Sequence, residues 1–370
     1  MVVRSVSLRD FRNYERAELT LGDGLNVVHG PNGAGKTNLL EALYFSLTAR
    51  SCRTSNEREL VRSGQQVTRV VAEVEGDQQS HTLEVGFAPS QKEKLVKVDG
   101  APLERGGAPP PRPLVCVFLP DRLELIKGAP ASRRSHLDQV VAAMWPARAE
   151  TRSAYSRALA QRNALVARIR AGASRPDLLD PWDAELARHG AQLMADRARA
   201  ISSLAPAFSD RAAELGLPDA VELRYAPRSK SGDAEGLRRE LHERRTADLE
   251  RGFTTHGPHR DDLALLHGGR PLRTLGSQGQ QRVGLLALLF AERDVLGARG
   301  RPPLMLLDDV MSELDATRRE RLADLVRAGG QALITTTDVD HVPGASSEDV
   351  CVTSVLDGRV EQRGATTVAA

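Results

Sequence analysis

The chain has 370 residues, of which 41% are hydrophobic and 27% charged, so it can form a core and is not a disordered chain. Its 51 basic and 49 acidic residues nearly cancel, which neither requires nor excludes a nucleic-acid partner. The three cysteines form no CxxC pair, the start lacks the apolar region of a secretory signal, and the longest apolar stretch, 285–291, is too short for a membrane span. These features predict a cytosolic protein without a membrane partner. The length predicts two domains, or one large domain with an insertion.

The first third of the chain carries strand and helix signals of an α/β domain. An apolar strand at 25–29 precedes a Gly-rich turn and an apolar-periodic helix that continues through Leu47. Three further strands are predicted at 67–74, 81–87 and 95–98, with Asp99-Gly100 as a hairpin turn. The Gly- and Pro-rich stretch 106–113 is predicted to be a loop.

The middle of the chain has helical periodicity, and the α/β signals return after it. Helices are predicted within 132–215, and a charged helix follows the polar break 227–233 and ends near Arg251. Strands are then predicted at 303–307 and 331–337, and a hairpin at 352–360. We therefore expect one α/β domain in two parts, 1–120 and 255–370, separated by a helical lobe at 121–254.

The strongest motif lies between the first predicted strand and helix and matches GxxxxGK[ST], the pattern of a phosphate-binding loop. Its glycines allow backbone N–H groups to turn toward phosphates, and the start of the helix adds a favourable dipole. The lysine is expected at the β- and γ-phosphates of ATP and the threonine on Mg²⁺. The loop consists of Gly30, Pro31, Asn32, Gly33, Ala34, Gly35, Lys36 and Thr37.

A second motif is the apolar strand 304–307 followed by Asp308 and Asp309. A carboxylate at the end of a buried strand is suited to hold Mg²⁺, so we predict this role for Asp308. Asp309 is predicted to position or polarise the attacking water. The alternative is that the two acids form only a solvated turn.

Lys36 and Asp308 are too far apart in the chain for a compact nucleotide kinase, which indicates an insertion between two halves of one site. Heads of ABC-type ATPases, especially of the SMC branch, are built in this way. A third motif follows the same pattern: Ser277, Gly279 and Gln280 begin a helix with an S-x-x-Q capping box about 30 residues before the acidic strand end. In ABC-type proteins such a signature faces the γ-phosphate held by a second subunit. By itself the motif indicates only a well-capped helix.

Over nearly its whole length the sequence resembles the RecF family of DNA replication and repair proteins. The resemblance rests on the phosphate loop continued to Asn38 and on these further segments: 8–14, 120–121, 127–128, Tyr155, 161–163, 257–262, 277–282, 307–309 and 312–315. The last segment resembles the D-loop of ABC-type dimers. The resemblance implies an α/β fold: an ABC-type P-loop ATPase head, with a mixed sheet and an antiparallel β subdomain, plus an inserted helical lobe.

The resemblance also implies a function. Such proteins bind ATP and Mg²⁺, form an ATP-dependent homodimer, bind DNA at single-strand gaps, and assist the RecO and RecR proteins in loading the recombinase. They serve replication recovery and SOS induction in the cytoplasm, at the nucleoid. Two departures from the broader ABC pattern predict slow hydrolysis: Thr337 stands at the switch-histidine position, and Asp309 replaces the usual glutamate. The alternatives are a transporter subunit and an SMC-like scaffold without significant turnover.

Two weaker groups of residues remain. His256, His259, Asp261 and Asp262 form either a metal site or, in our preferred interpretation, a loop near the nucleotide. The first helices of the lobe are rich in arginine, which indicates either a solvated face or a contact surface for DNA phosphates. The predicted DNA contacts are Arg152, Arg157, Arg162 and Arg168.

Overall fold

The computed structural model describes residues 1–76, 79–90, 93–103, 112–217, 219–300, 302–312 and 314–362. The chain divides into two compact units, Met1–Asp121 with Leu296–Ala370, and Arg122–Val295. Residues 255–295, which we expected in the ATPase domain, belong to the second unit, because the strand at 262–267 pairs with the strand at 221–226. The predicted loop 106–113 lies largely outside the described residues.

Strands and α-helices follow one another along the described chain in this order: β1 (Val2–Phe11), β2 (Tyr14–Thr20), β3 (Leu25–His29), α1 (Lys36–Thr48), β4 (Thr68–Glu75), β5 (Ser80–Ala88), β6 (Glu93–Val98), β7 (Ala101–Pro102), β8 (Val115–Phe118), α2 (Glu124–Lys127), α3 (Pro130–Met144), α4 (Ala149–Arg170), α5 (Asp180–Glu214), β9 (Val221–Ala226), α6 (Ala234–Glu243), α7 (Arg245–Arg251), β10 (Asp262–His267), β11 (Arg270–Pro271), α8 (Leu272–Leu275), α9 (Gln278–Gly297), β12 (Leu304–Leu307), α10 (Ala316–Arg327), β13 (Ala332–Thr336), β14 (Cys351–Leu356) and β15 (Arg359–Gln362). Short 3₁₀ helices lie at Glu57–Leu60, Pro120–Leu123, Pro146–Arg148, Pro176–Leu179, Pro258–Arg260 and Val339–His341.

The first unit contains an antiparallel sheet in the order β2-β1-β4-β5-β6-β7. Its strands alternate between buried and outward residues, as in β4, where Val70, Ala72 and Val74 are buried and Arg69 is exposed. This alternation is what a sheet with one face on the core requires. The predicted turn at Asp99-Gly100 is present, and both residues have a positive φ, as the hairpin turn demands.

The second sheet of this unit is mostly parallel, in the order β15-β14-β3-β13-β12-β8, with only β15 antiparallel to its neighbour. Every residue of β12 and β13 is buried, which is the pattern of strands covered on both faces. The carboxyl ends of β3, β12 and β13 therefore reach the same edge of the sheet. The phosphate loop leaves that edge and continues into α1, whose Leu39, Leu40 and Leu43 join the core.

The second unit is mainly helical and includes a small antiparallel sheet, β11-β10-β9. Its core lies between α4, α5 and α6 and contains Tyr155, Leu186, Leu193 and Leu237. The helical character predicted for 132–215 is thus confirmed as α3, α4 and α5. Among the described residues, no helix is both long and apolar enough to cross a membrane.

Candidate nucleotide site

The loop between β3 and α1 has a backbone that only glycine can follow at two of its positions. At Gly30, where φ is +155°, a Cβ atom would lie 2.1 Å from the Val355 carbonyl oxygen. At Gly35, where φ is +114°, it would lie 2.6 Å from Asn13 Nδ2 and 2.8 Å from the Tyr14 hydroxyl oxygen. Gly30 and Gly35 are therefore required by the packing of the loop as well as by its turn.

The hairpin between β1 and β2 supports this loop from behind. The buried Tyr14 hydroxyl donates to the Gly35 carbonyl at 2.9 Å, and Asn13 Nδ2 donates to the Ala34 carbonyl at 3.2 Å. The Gly358 N–H donates to the same Ala34 carbonyl at 3.3 Å. The loop thus has a fixed shape before any ligand arrives, although the motif by itself gave no indication of these supports.

Lys36, the first residue of α1, is buried with its ammonium group inside the loop. Its Nζ donates to the carbonyl oxygens of Gly30 at 2.8 Å and Pro31 at 3.0 Å. Burial lowers the pKa of this ammonium, while the nearby Asp309 and Asp308 oppose the shift. An anion in the loop would supply the counter-charge that this buried cation has only in part.

Thr37 and Asp308 are widely separated in sequence but in direct contact in the structure. The Thr37 hydroxyl lies 2.9 and 3.0 Å from the two carboxylate oxygens of Asp308. The Thr335 hydroxyl, at the end of β13, donates to Asp308 Oδ1 at 2.6 Å. Burial raises the pKa of Asp308, and the two hydroxyl hydrogen bonds reduce the shift. A hydroxyl and a carboxylate so placed are hard oxygen ligands of the kind that Mg²⁺ prefers.

Asp309 follows in an unusual conformation. Its φ is +45°, a left-handed value that is uncommon outside glycine, and its N–H donates to the Thr335 carbonyl at 3.1 Å and hydroxyl at 3.0 Å. Its Oδ1 atom is buried and has no hydrogen-bond partner among the described residues. Since a buried unpaired acceptor is costly, this oxygen marks the place where a donor from outside the chain fits.

A cavity of about 370 Å³ opens between these groups. Two of the residues that line it, Thr335 and Arg53, lie outside every motif of the sequence, because no short pattern marks either one. Arg53 donates to Asn38 Oδ1 at 2.8 Å and adds a second cation beside Lys36. Thr337, the expected switch position, is not among the lining residues. These are Asn32, Gly33, Gly35, Lys36, Thr37, Asn38, Arg53, Pro120, Asp308, Asp309 and Thr335.

The predicted signature lies in the second unit and has the capping geometry that its sequence indicates. The Ser277 N–H donates to Gln280 Oε1 at 2.8 Å, and the Gln280 N–H donates to Ser277 Oγ at 3.2 Å. Gly279 lies in the first turn of α9, next to the exposed Ser277. In the D-loop segment, Asp315 caps α10, while Glu313 lies outside the described residues. The exposed Ser277 therefore leaves the start of α9 accessible to a ligand from another molecule.

The four residues considered as a metal site each have other partners, all within the second unit. His256 hydrogen-bonds with Glu240 at 2.6 Å, His259 with the Tyr155 hydroxyl at 2.7 Å, and Asp262 accepts from Arg133 at 2.7 Å. Asp261 accepts from the backbone of Arg228 at 2.7 Å. In the part of the chain that the structure describes, no group of three or more His, Cys, Asp or Glu side chains is arranged to hold a metal ion.

The predicted DNA contacts fall into two classes. Arg152, Arg157 and Arg168 are exposed on α4. Arg162 is fully buried, so its prediction as a DNA contact is wrong: its guanidinium donates to Asp183 at 2.6 Å and to Asp248 at 2.7 Å. Residues five or six positions apart on a helix lie on different faces, so Arg162 faces away from Arg157 and Arg168. The run of arginines in the sequence did not show which of them are exposed and which are buried.

Comparison with known proteins finds a matching family model and relatives that are similar over nearly the whole chain. Residues 5–110 match the family model of the AAA domain. The chain is 40% identical to the DNA replication and repair protein RecF of Streptomyces avermitilis, across 93% of this chain and 95% of that protein. It is also 40% identical to the RecF protein of Anaeromyxobacter sp., across 97% and 99%.

Solved structures agree with these relatives. A structure of the recombination mediator protein RecF with ATP, in the RecFOR pathway, has a TM-score of 0.87 at 30% identity, covering 98% of this chain and 97% of that one. The corresponding structure with ATPrS has a TM-score of 0.86 at the same identity, covering 98% of both chains. An SMC head bound to ScpA shares the fold at 15% identity and a TM-score of 0.59, over 99% and 98%. The predicted ABC-type P-loop ATPase head with a helical lobe is thereby confirmed.

Proposed function

Because the chain belongs to the RecF family of DNA replication and repair proteins, we propose that it is an ATP-dependent DNA-binding switch of recombinational repair. In this role it binds DNA at single-strand gaps, as duplex or as a junction of single and double strands. Together with RecO and RecR proteins it assists recombinase loading, and thereby replication recovery and SOS induction. The solved relatives described with ATP and within the RecFOR pathway support this proposal.

The observation that carries the proposal is the contact of Thr37 with Asp308. It joins the phosphate loop to the end of β12 across most of the chain's length, in the arrangement by which P-loop NTPases hold Mg²⁺ beside the phosphates. The residues fit these groups. Lys36 is a buried cation inside the loop, and Asp309 has a buried acceptor that finds no hydrogen-bond partner in the described part of the chain.

In this proposal separate groups of residues hold the triphosphate, the metal ion and the attacking water. The loop 30–35 and Lys36 hold the triphosphate, and Thr37 with Asp308 hold Mg²⁺, which neutralises the charge on the phosphate oxygens. Asp309 accepts a proton or hydrogen bond from the attacking water through its unpaired oxygen. In a second copy of the chain, Ser277, Gly279 and Gln280 present a helix start to the γ-phosphate, so that ATP joins two heads.

Hydrolysis is proposed to be slow and to be stimulated by DNA. An aspartate reaches less far than the glutamate that usually stands at this position, and Thr337 does not line the site. The dimer would therefore remain closed on DNA for a long period before hydrolysis opens it. The protein is proposed to work in the cytoplasm, at the nucleoid.

The test is phosphate release with Mg²⁺ and ATP, with and without gapped DNA. We expect slow release that DNA accelerates. Lys36→Met removes the cation placed at the phosphates, so it should abolish ATP binding by calorimetry, and circular dichroism should show that the variant is still folded. Unaltered ATP affinity in this variant would refute the phosphate-loop assignment. ATP binding without any release, in the presence or absence of DNA, would favour the SMC-like scaffold instead.

A further inference from the structure

A row of three arginines crosses the antiparallel sheet of the first unit on its outward side. In the strand registers Arg9 of β1 is paired with Arg16 of β2 on one side and with Arg69 of β4 on the other. All three side chains are exposed. Since neighbouring strands lie about 4.8 Å apart, the row covers about 10 Å across the sheet.

This row is unfavourable for the sheet itself. Like charges directly opposite each other on neighbouring strands are destabilising. Only part of the charge is compensated: Arg69 donates to Glu84 at 2.8 Å, and Arg9 lies 3.7 Å from Asp10. Arg16 makes no ion pair or side-chain hydrogen bond with any described residue. A row of like charges that costs stability and is only partly neutralised by its neighbours points to a ligand from outside.

A fourth arginine, Arg359 of β15, extends the row into a shallow depression of about 930 Å³ that it shares with Arg9, Arg16 and Arg69. We call these four residues the arginine face. Two carboxylates, Glu18 and Glu361, also line the depression. Among the residues that line the depression, arginines outnumber carboxylates by four to two, and their spread across the face suits a polyanion of extended shape better than a single small anion.

We propose that the arginine face binds the phosphate backbone of duplex DNA. About 10 Å of duplex presents roughly six phosphate charges, enough to meet every arginine of the face. Proteins that bind single strands use exposed aromatic platforms, and no aromatic side chain lines this depression among the described residues: Phe11, Tyr14 and Phe87 are buried. The proposal rests on the DNA-binding function proposed above, and it assigns to the ATPase unit a DNA surface of its own.

The position of the face also connects it with the nucleotide site. Arg9 and Arg16 lie on the two strands of the hairpin whose Asn13 and Tyr14 support the phosphate loop. Arg359 follows Gly358, which donates to the Ala34 carbonyl of the same loop. DNA bound by these arginines would contact the same hairpin and β14–β15 turn that support the phosphate loop. This contact is a physical route by which DNA can stimulate phosphate release.

The test compares Arg9→Gln/Arg16→Gln with the parent in binding of duplex DNA across a series of salt concentrations. Two lost phosphate contacts should reduce the log–log salt slope by about 1.8. The matched control is Arg175→Gln/Arg188→Gln, which removes the same charge from exposed positions of the second unit and should leave the slope unchanged. Glu18→Gln removes a repelling carboxylate from the depression and should strengthen binding.

Folding and catalysis provide the remaining readouts. The arginine variant should unfold at the same or a higher temperature than the parent, because it removes repulsion, and it should keep ATP binding and basal phosphate release while losing stimulation by duplex. Parent-like slope and stimulation in this variant would overturn the arginine face, while DNA binding by the parent would leave the proposed function standing. A loss confined to single-stranded DNA would also overturn it. Absence of DNA binding by the parent would refute the proposed function itself.

Discussion

The environment of Arg162 in the fold determines the role of its side chain. In the sequence it is one of several arginines in a basic helix, yet it is fully buried and donates to Asp183, Asp248 and the Thr254 hydroxyl. Two carboxylates in a low-dielectric interior are tolerated because two guanidinium groups balance them: Arg162 pairs with both, and Arg245 also pairs with Asp183. Its role in the second unit is therefore structural, whereas Arg157, five positions earlier on α4, is exposed.

Arg162→Ala should accordingly lower the free energy of unfolding of the second unit by about 3–5 kcal/mol, because it leaves the buried Asp248 without its counter-charge. Arg157→Ala, on the exposed surface, should change it by less than about 0.5 kcal/mol. Denaturant unfolding of both variants measures the difference. Equal stabilities would contradict the buried network, and a DNA-binding defect in a folded Arg162 variant would restore its original assignment.

At the scale of elements, the segment after α7 is held to α4 by a half-buried histidine, His259. His259 hydrogen-bonds with the Tyr155 hydroxyl of α4 at 2.7 Å and with the Thr254 carbonyl at 3.0 Å. Burial lowers the pKa of His259 to about 4, and the positive charges of Arg260 and Arg134 contribute in the same direction. The imidazole is therefore neutral in the folded protein at neutral pH.

This histidine should make the second unit sensitive to mild acid. The unfolded chain takes up a proton at its ordinary pKa of about 6.5, whereas the folded protein does so only near 4, so stability falls as the pH drops from about 6.5 to 4. The slope from this one group approaches about 1.4 kcal/mol per pH unit. His259→Gln should remove that contribution. Denaturant unfolding at several pH values in this range measures it, and an unchanged pH slope would contradict a neutral His259 in the folded protein.

At the scale of the whole molecule, the proposed switch needs two copies of the chain. One copy supplies Lys36, Thr37 and Asp308, and the other supplies the capped helix start at Ser277. Because ADP lacks the γ-phosphate that the second copy would hold, ATP and ADP should differ in how strongly they favour the dimer.

Ser277→Arg should abolish ATP-dependent dimerisation while leaving the chain folded. It places a bulky side chain at the helix start and removes a cap worth about 1 kcal/mol, which is too little to unfold a protein of this size. Asp309→Asn should have the opposite effect and prolong the ATP dimer by slowing hydrolysis. Light scattering with ATP and with ADP measures both variants. If Ser277→Arg dimerised as the parent does, the composite site would be incorrect.

Local patterns were sufficient for a large part of this protein. The strand at 25–29, the phosphate loop and the capping box at Ser277 depend on neighbouring residues, so the spacing of glycines, apolar residues and a capping serine was enough to predict them. Asp308 could be assigned because the end of a buried strand is itself a local pattern. Three of the antiparallel strands, β4, β5 and β6, were predicted from the sequence, whereas β1 and β2 of the same sheet were not.

Only the tertiary structure decided which distant groups share a site and which faces are covered. Thr335 and Arg53 line the nucleotide cavity because β13 and the segment after α1 reach the same edge of the sheet, and no periodicity in the sequence encodes that meeting. Residues 255–295 belong to the second unit through the pairing of β9 with β10, and the arginine face exists only through strand register. The physical reason is the same in each case: sequence patterns report which side of an element is apolar, whereas hydrogen-bonded pairing and packing select the partner that side or edge meets.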